Sequence, residues 1–157
     1  MKTTLTVYKP EYRDLWFRRQ MLEDEATMAY NRAWGGTIPF PEEKWADWYD
    51  FWLVNTEDKR WYRYVTDANG RFIGEIAYHF DAELGAFTVS VIIFAEYRGR
   101  GYGGQALELL LAAAKKNGLD CIYDDIAIDN PAEDMFIRHG FAEEYRTAEK
   151  IYLKKRL

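Results

Sequence analysis

The sequence predicts an α/β (α+β) fold built on antiparallel strands, from three observations. β-branched and aromatic segments with alternating pattern recur along the chain, two stretches carry apolar residues at helical spacing, and a glycine-rich turn joins the strongest strand to the strongest helix. The element order read from these signals is β-α-α-β-β-β-α-β-α-β-β. A length of 157 residues suits one domain, 1–157, with 1–55 and 60–157 as two functional layers.

Residues 3–8 alternate as a strand. Pro10 and Glu11 suit the first turn of a helix running to about Tyr30, because proline lacks an amide where none would be paired. Asn31 to Phe40, with Trp34-Gly35-Gly36 and Pro39, reads as a loop. Pro41-Glu42-Glu43 opens a second helix whose Trp45, Trp48 and Trp52 share one face and suit a core. Trp61–Thr66, the turn Asp67-Ala68-Asn69-Gly70, Arg71–Phe80 and Ala86–Phe94 form an antiparallel meander. On its middle strand a period of two groups Ile73, Glu75, Ala77 and His79.

A helix opening at Gly103 or Gly104 points Leu107, Leu110, Leu111 and Ala114 inward, with Lys115 and Lys116 at its negative end and Gly118 beyond. Cys121–Ile128 is a strand. Asn130 caps a short helix that Pro131 enters, that Arg138 and His139 close and that Gly140 stops. Phe141–Thr147 and Glu149–Leu153 are the last strands. A lone cysteine, Cys121, permits no internal disulfide and reads as a buried, inert thiol. A net charge of −5 argues against nucleic acid as a partner. No apolar run approaches the roughly 18 residues of a membrane helix, so no membrane partner and a cytoplasmic location are expected.

Arg98-Gly99-Arg100-Gly101-Tyr102-Gly103-Gly104 carries four glycines within six residues, more than a turn needs. Such glycines admit a ligand close to the backbone, the helix start offers free amides, and Arg98 and Arg100 add positive charge. The segment is an anion site suited to a diphosphate. A Walker loop is excluded by the missing Gly-Lys-Ser/Thr. Gly99-x-Gly101-x-x-Gly104 satisfies the dinucleotide fingerprint, but it follows a meander and leaves too little chain for the βα units that fingerprint needs.

Arg98-x-x-Gly101-x-Gly103 resembles the Q/R-x-x-G-x-G/A signature of the GNAT superfamily of acetyl-CoA-dependent N-acetyltransferases. Asn130-Pro131-Ala132, Phe136 and Gly140-Phe141 resemble its second motif. The likeness is good over 60–157, and over 1–55 it extends only to element order. It implies a mixed, mostly antiparallel central sheet flanked by helices, and acetyl-CoA as cosubstrate. Amides of Arg98, Gly99, Arg100, Gly101, Tyr102, Gly103 and Gly104 would bind the pyrophosphate. Ile92, Ile93, Phe94 and Ala95 would pair with the pantetheine arm in a splay against Cys121–Ile128, with Asn130 and Phe136 beside it. Dimerisation is common among proteins of this likeness, so a homodimer is one expectation, and no stretch of the sequence marks an interface.

Two departures stand out. The Asn130–Gly140 spacing is one residue short, and the family's frequent tyrosine, often the acid for the leaving thiolate, is replaced by Phe136. Tyr102, Tyr123 and Tyr145 are the alternative donors. The chemistry also needs a base, because an alkyl amine with pKa near ~10.4 is protonated at neutral pH. Glu75, His79 and Asp125 are the candidates, with Asp124 as an alternative to its neighbour. One of the two aspartates is expected to face the ligand and the other to face away. An amide near Ile93–Ala95 would stabilise the oxyanion. The spacing of Glu75, His79 and Asp125 does not support a metal site, and none is expected. Trp34, in its Gly-Gly loop, is the candidate for a pocket holding a small-molecule amine. Two other functions fit the same motifs: an acyl-CoA sensor without turnover, and a peptide or protein N-acetyltransferase.

Overall fold

The structure, a computed structural model, describes residues 4–157. Its strands are β1 (Thr6–Tyr8), β2 (Arg60–Thr66), β3 (Phe72–Asp81), β4 (Ala86–Ile93), β5 (Cys121–Ala127), β6 (Ala142–Arg146) and β7 (Lys150–Arg156). They form one seven-stranded sheet in the order β1-β2-β3-β4-β5-β7-β6. The helices are α1 (Leu15–Glu23), α2 (Trp45–Tyr49), α3 (Tyr102–Lys116) and α4 (Glu133–Arg138). Neighbouring strands are antiparallel except β4 and β5, which α3 connects as a crossover and which therefore run parallel. Mixed sheet, flanking helices and element order all follow the expectation; residue 3 of the first expected strand lies outside the described residues.

Each face of the sheet has its own core. Against one, α3 buries Leu107, Leu110, Leu111 and Ala114 on Ile76, Ile122, Ile126 and Leu153. Fully burying a side chain of this size contributes about 1.5–3 kcal/mol. The other face takes Leu15, Phe17, Met21 and Leu22 of α1, and Trp45 of α2, on Tyr62, Tyr64, Ala77 and Ile92. Trp48 and Trp52 are only half-buried at the margin of that core.

Three local differences from expectation matter. The first helix stops at Glu23, not Tyr30, because the Asp24 carboxylate accepts the amide of Thr27 at 3.0 Å and its hydroxyl at 2.5 Å. This side-chain turn competes with the helical bonds. Residues Ala29–Trp34 then form a separate 3-10 turn. Secondly, Val65 pairs with Gly74 but Thr66 pairs with Phe72, so Ile73 is an inserted bulge residue. It turns Ile73 toward α3 and leaves Glu75, Ala77 and His79 on the α1 side, parting Ile73 from its expected companions. Gly74 is required beside the bulge, where a Cβ would collide with the Ile92 carbonyl oxygen. Thirdly, Cys121 is half-buried at the start of β5 rather than enclosed.

Candidate active site

β4 and β5 pair only at Thr88 and Tyr123, and beyond that pair they diverge. The wedge between them is a cleft of about 670 Å³. Val91 and Ile93 border it from β4, Asp124–Ala127 from β5, Met135 and Phe136 from α4, the glycine turn from above, and Tyr30 and Trp34 from the mouth.

Strand alternation decides which amides face the wedge. Phe94 N–H donates to Ile73 O across β3, so the Ile92 backbone also faces β3 while Val91 and Ile93 face the opening. Ala95 N–H is spent on Thr27 Oγ1 at 3.0 Å. Of the expected stretch Ile92, Ile93, Phe94 and Ala95, Ile93 alone keeps an amide without a partner among the described residues. Val91, its partner in parity, is missing from the sequence reading; counting by two from a fixed register would have found it.

The turn is shaped by Gly99 and Gly101, both left-handed at φ +81° and +79°. Gly101 caps α3, leaving the amides of Tyr102, Gly103 and Gly104 without helical partners. Arg98 departs from its expected role as a phosphate clamp. Its guanidinium donates to the carbonyls of Ile93, Ala26 and Thr27 at 3.1, 3.0 and 2.8 Å, strapping the turn to the segment after α1. Arg100, exposed like Arg98, makes no side-chain hydrogen bond or ion pair among the described residues and is the uncommitted cation of the turn. Gly103 and Gly104 let α4 dock: a Cβ would meet Met135 Sδ at 3.2 Å and His139 Nε2 at 2.9 Å. Gly104 borders a second cavity of about 990 Å³ across the start of α3, which Arg71 and Arg100 also line.

Asn130 lines the cleft and spends its Oδ1 on Ala132 N–H at 2.9 Å. Phe136, 4% exposed, packs edge-on to Phe141 and offers the cleft only ring carbons. Among the alternative donors, Tyr102 lines the cleft; Tyr123 lies beneath Lys154, and Tyr145 stacks on Tyr152 away from it. Tyr30 and Tyr97 also border the cleft, and neither is among the site residues expected from the sequence. Burial, reinforced by the Glu75 charge, pushes the Tyr30 hydroxyl up to about 12.

The candidate bases separate by environment. Glu75, 3% exposed, is held by Arg18 Nη1 at 2.6 and 2.7 Å and does not border the cleft. The guanidinium lies over the rings of Trp48, Phe40 and Tyr62 at 4.5, 5.3 and 5.5 Å. Asp125 borders the cleft from the α1 side and binds Lys150 Nζ at 2.9 Å; Lys150 in turn sits 5.5 Å from the Trp34 ring. His79 borders the cleft against the edge of Trp52, and among the described residues its ring nitrogens make no hydrogen bond. Asp124 also borders it, so both aspartates face the wedge, not one of them. The strands part here, and the cleft meets β5 edge-on with access to both faces. Burial and the adjacent Asp125 charge raise the Asp124 carboxyl well above the ordinary range. Among the described residues no three His, Cys, Asp or Glu side chains converge as metal ligands, and no helix is long and apolar enough to cross a membrane.

Comparison with known proteins agrees with this architecture. An uncharacterized N-acetyltransferase of Methanocaldococcus jannaschii is 25% identical, the match covering 77% of this chain and 57% of that protein. The chain thus spans little more than half the length of this curated relative. The spermidine N-acetyltransferase of Vibrio cholerae, solved with CoA and spermine, superposes with a TM-score of 0.77 at 20% identity, covering 98% of this chain and 95% of that one. A phosphinothricin acetyltransferase of Sinorhizobium meliloti, solved with AcCoA, gives 0.76 at 17% identity, covering 100% and 89%. At such identities the likeness is one of fold. The sequence profile of the acetyltransferase (GNAT) family, however, matches residues 10–141. With that match across most of its length, and with a wedge between parallel strands beneath a glycine turn, the chain belongs to the acetyltransferase (GNAT) family.

Proposed function

We propose that the protein transfers the acetyl group of acetyl-CoA to a primary amine of a small molecule. The observation that carries this reading is the wedge between β4 and β5, edged by the Val91 and Ile93 amides that β5 leaves unpaired and closed by the free amides at the start of α3. A pyrophosphate suits those helix amides, with Arg100 alongside and the second cavity open to the nucleotide beyond. A pantetheine arm, itself built of amides, suits the missing strand. The thioester oxygen would then meet a β4 amide, a donor worth about 3 kcal/mol to the developing oxyanion.

The amine approaches from the opposite side, past Tyr30 and Trp34. The segment of 1–55 that carries Tyr30 and Trp34 thus supplies the acceptor wall, and 60–157 the CoA-binding core of one domain. Trp34, 58% exposed, offers an aromatic face to a cation. Of the base candidates, Glu75 is walled off and Asp125 is engaged by Lys150, which leaves His79, acting through water, to take the proton from the ammonium. Phe136 favours a second reading, a sensor that binds acyl-CoA without turnover.

Incubation with acetyl-CoA and spermidine, spermine or phosphinothricin, followed by free-thiol release, tests the proposal. Turnover with at least one amine is expected, reduced strongly in His79→Gln. Binding of acetyl-CoA without thiol release across a broader amine panel supports the sensor; no calorimetric affinity for acetyl-CoA defeats both.

A further inference from the structure

We propose that Asp124 donates the proton that the departing CoA sulfur requires, supplying what the hydroxyl-free Phe136 cannot. This rests on the acyl-transfer reading above.

The geometry of β5 assigns its two adjacent acids to opposite sides of the wedge. β5 pairs with β7 without irregularity, placing Asp124 opposite Leu153 and Asp125 opposite Tyr152. Asp124 therefore shares a face with Ile122 and Ile126, whose cluster includes Phe136. Asp125 projects to the other face, with Lys150 and the acceptor wall. A thioester held between the strands has Asp124 on the α4 side and the incoming amine on the α1 side. The leaving sulfur and the attacking nitrogen are thus served from different faces by different groups.

Asp124 also has the environment of a proton donor. Among the described residues its carboxyl makes no side-chain hydrogen bond or ion pair, whereas Glu75 has Arg18 and Asp125 has Lys150. Burial, with the neighbouring Asp125 charge, favours its neutral form. The other ionisable groups bordering the cleft are Tyr30, His79, Tyr97, Arg98, Tyr102 and Asp125. The Arg98 guanidinium is committed to three carbonyls, so it does not offset the effect by pairing with Asp124. Tyr30 stands at the mouth, and Tyr97 and Tyr102 belong to the turn and its helix.

The step balances as follows. The amine nitrogen bonds to the acetyl carbon, the carbon–sulfur bond breaks with its electron pair going to sulfur, and the Asp124 carboxyl proton moves to that sulfur to give the thiol. The ammonium gives one proton through water to His79 before the free amine attacks, and the nitrogen gives up a second once bonded to the acetyl carbon; one of the two restores the Asp124 carboxyl through water and the other reaches solvent.

Asp124→Asn tests this. With acetyl-CoA and the fastest of spermidine, spermine and phosphinothricin, kcat is expected to fall about a hundredfold. KM for acetyl-CoA should change by less than about a factor of two, since only the proton transfer is removed. An acid works while protonated, so the alkaline limb of the wild-type kcat–pH profile should disappear in the variant. Adding Phe136→Tyr to Asp124→Asn should restore part of kcat. An unchanged kcat, or loss of the acidic limb instead, overturns the inference. If the wild type releases no thiol with any of these amines, the failure belongs to the acyl-transfer reading. The infrared difference between wild type and Asp124→Asn at neutral pH still decides the protonation: a protonated-carboxyl band supports the assignment, and a carboxylate band in its place overturns it.

Discussion

The two faces of the sheet are packed by different chemistry. Beneath α3 the contacts are mainly aliphatic, with Leu107, Leu110 and Leu111 closing on Ile76, Ile122 and Leu153. Beneath α1 and α2 they are mainly rings, among them Phe17, Phe40, Trp45, Tyr62 and Tyr64, and the Arg18–Glu75 pair is enclosed by them. An aliphatic layer tolerates any arrangement that fills volume, whereas a buried ion pair needs each partner in place. The α3 face therefore supports the glycine turn as a rigid platform. The aromatic face fixes how α1 and α2 sit on the sheet through a few specific contacts.

The largest expected effect breaks that aromatic face. Glu75→Ala strands a buried guanidinium and should cost about 3–5 kcal/mol in chemical denaturation. A variant of normal stability but collapsed kcat would instead return Glu75 to the role of base. On the opposite face, Leu110→Ala should cost about 2–5 kcal/mol, with activity per folded molecule retained. A smaller change sharpens the link between platform and turn. Gly101→Ala meets open space, so its cost is the left-handed backbone alone, about 1–2 kcal/mol, and calorimetry should show weakened acetyl-CoA binding.

The smallest effect is one of slope. Because the Asp124 carboxyl titrates higher in the folded protein than in the unfolded chain, the folded state holds more protons between those two values. Stability therefore falls as pH rises through that window. Asp124→Asn should match wild type below the ordinary carboxylate range and gain on it toward the alkaline side, measured as the thermal midpoint against pH.

Legibility differed between these regions for the same physical reason. The α3 stripe was readable because Leu107, Leu110, Leu111 and Ala114 follow the helical period, and the glycine turn because left-handed backbone favours glycine. Period-two counting failed at Ile73, where one inserted residue reverses the face of its neighbours. Arg98 has the charge of a phosphate ligand, but its donors go to Ala26 and Thr27, some seventy residues earlier in the chain. The end of α1 was hidden because a single Asp24–Thr27 turn outcompetes a propensity spread over many residues. Placing both Asp124 and Asp125 at the cleft required the strand register and the wedge together.

The solitary bridge between Thr88 and Tyr123 gives the molecule a seam. On one side lie β1 to β4, on the other β5, β7 and β6, and past that bridge no ladder stitches them. A guest that lends its own amides to both lips of the seam acts as a keystone. Under the acetyl-CoA reading, the melting point should then track how much of that guest is present, with about 2.7 kcal/mol gained at a hundredfold excess over Kd.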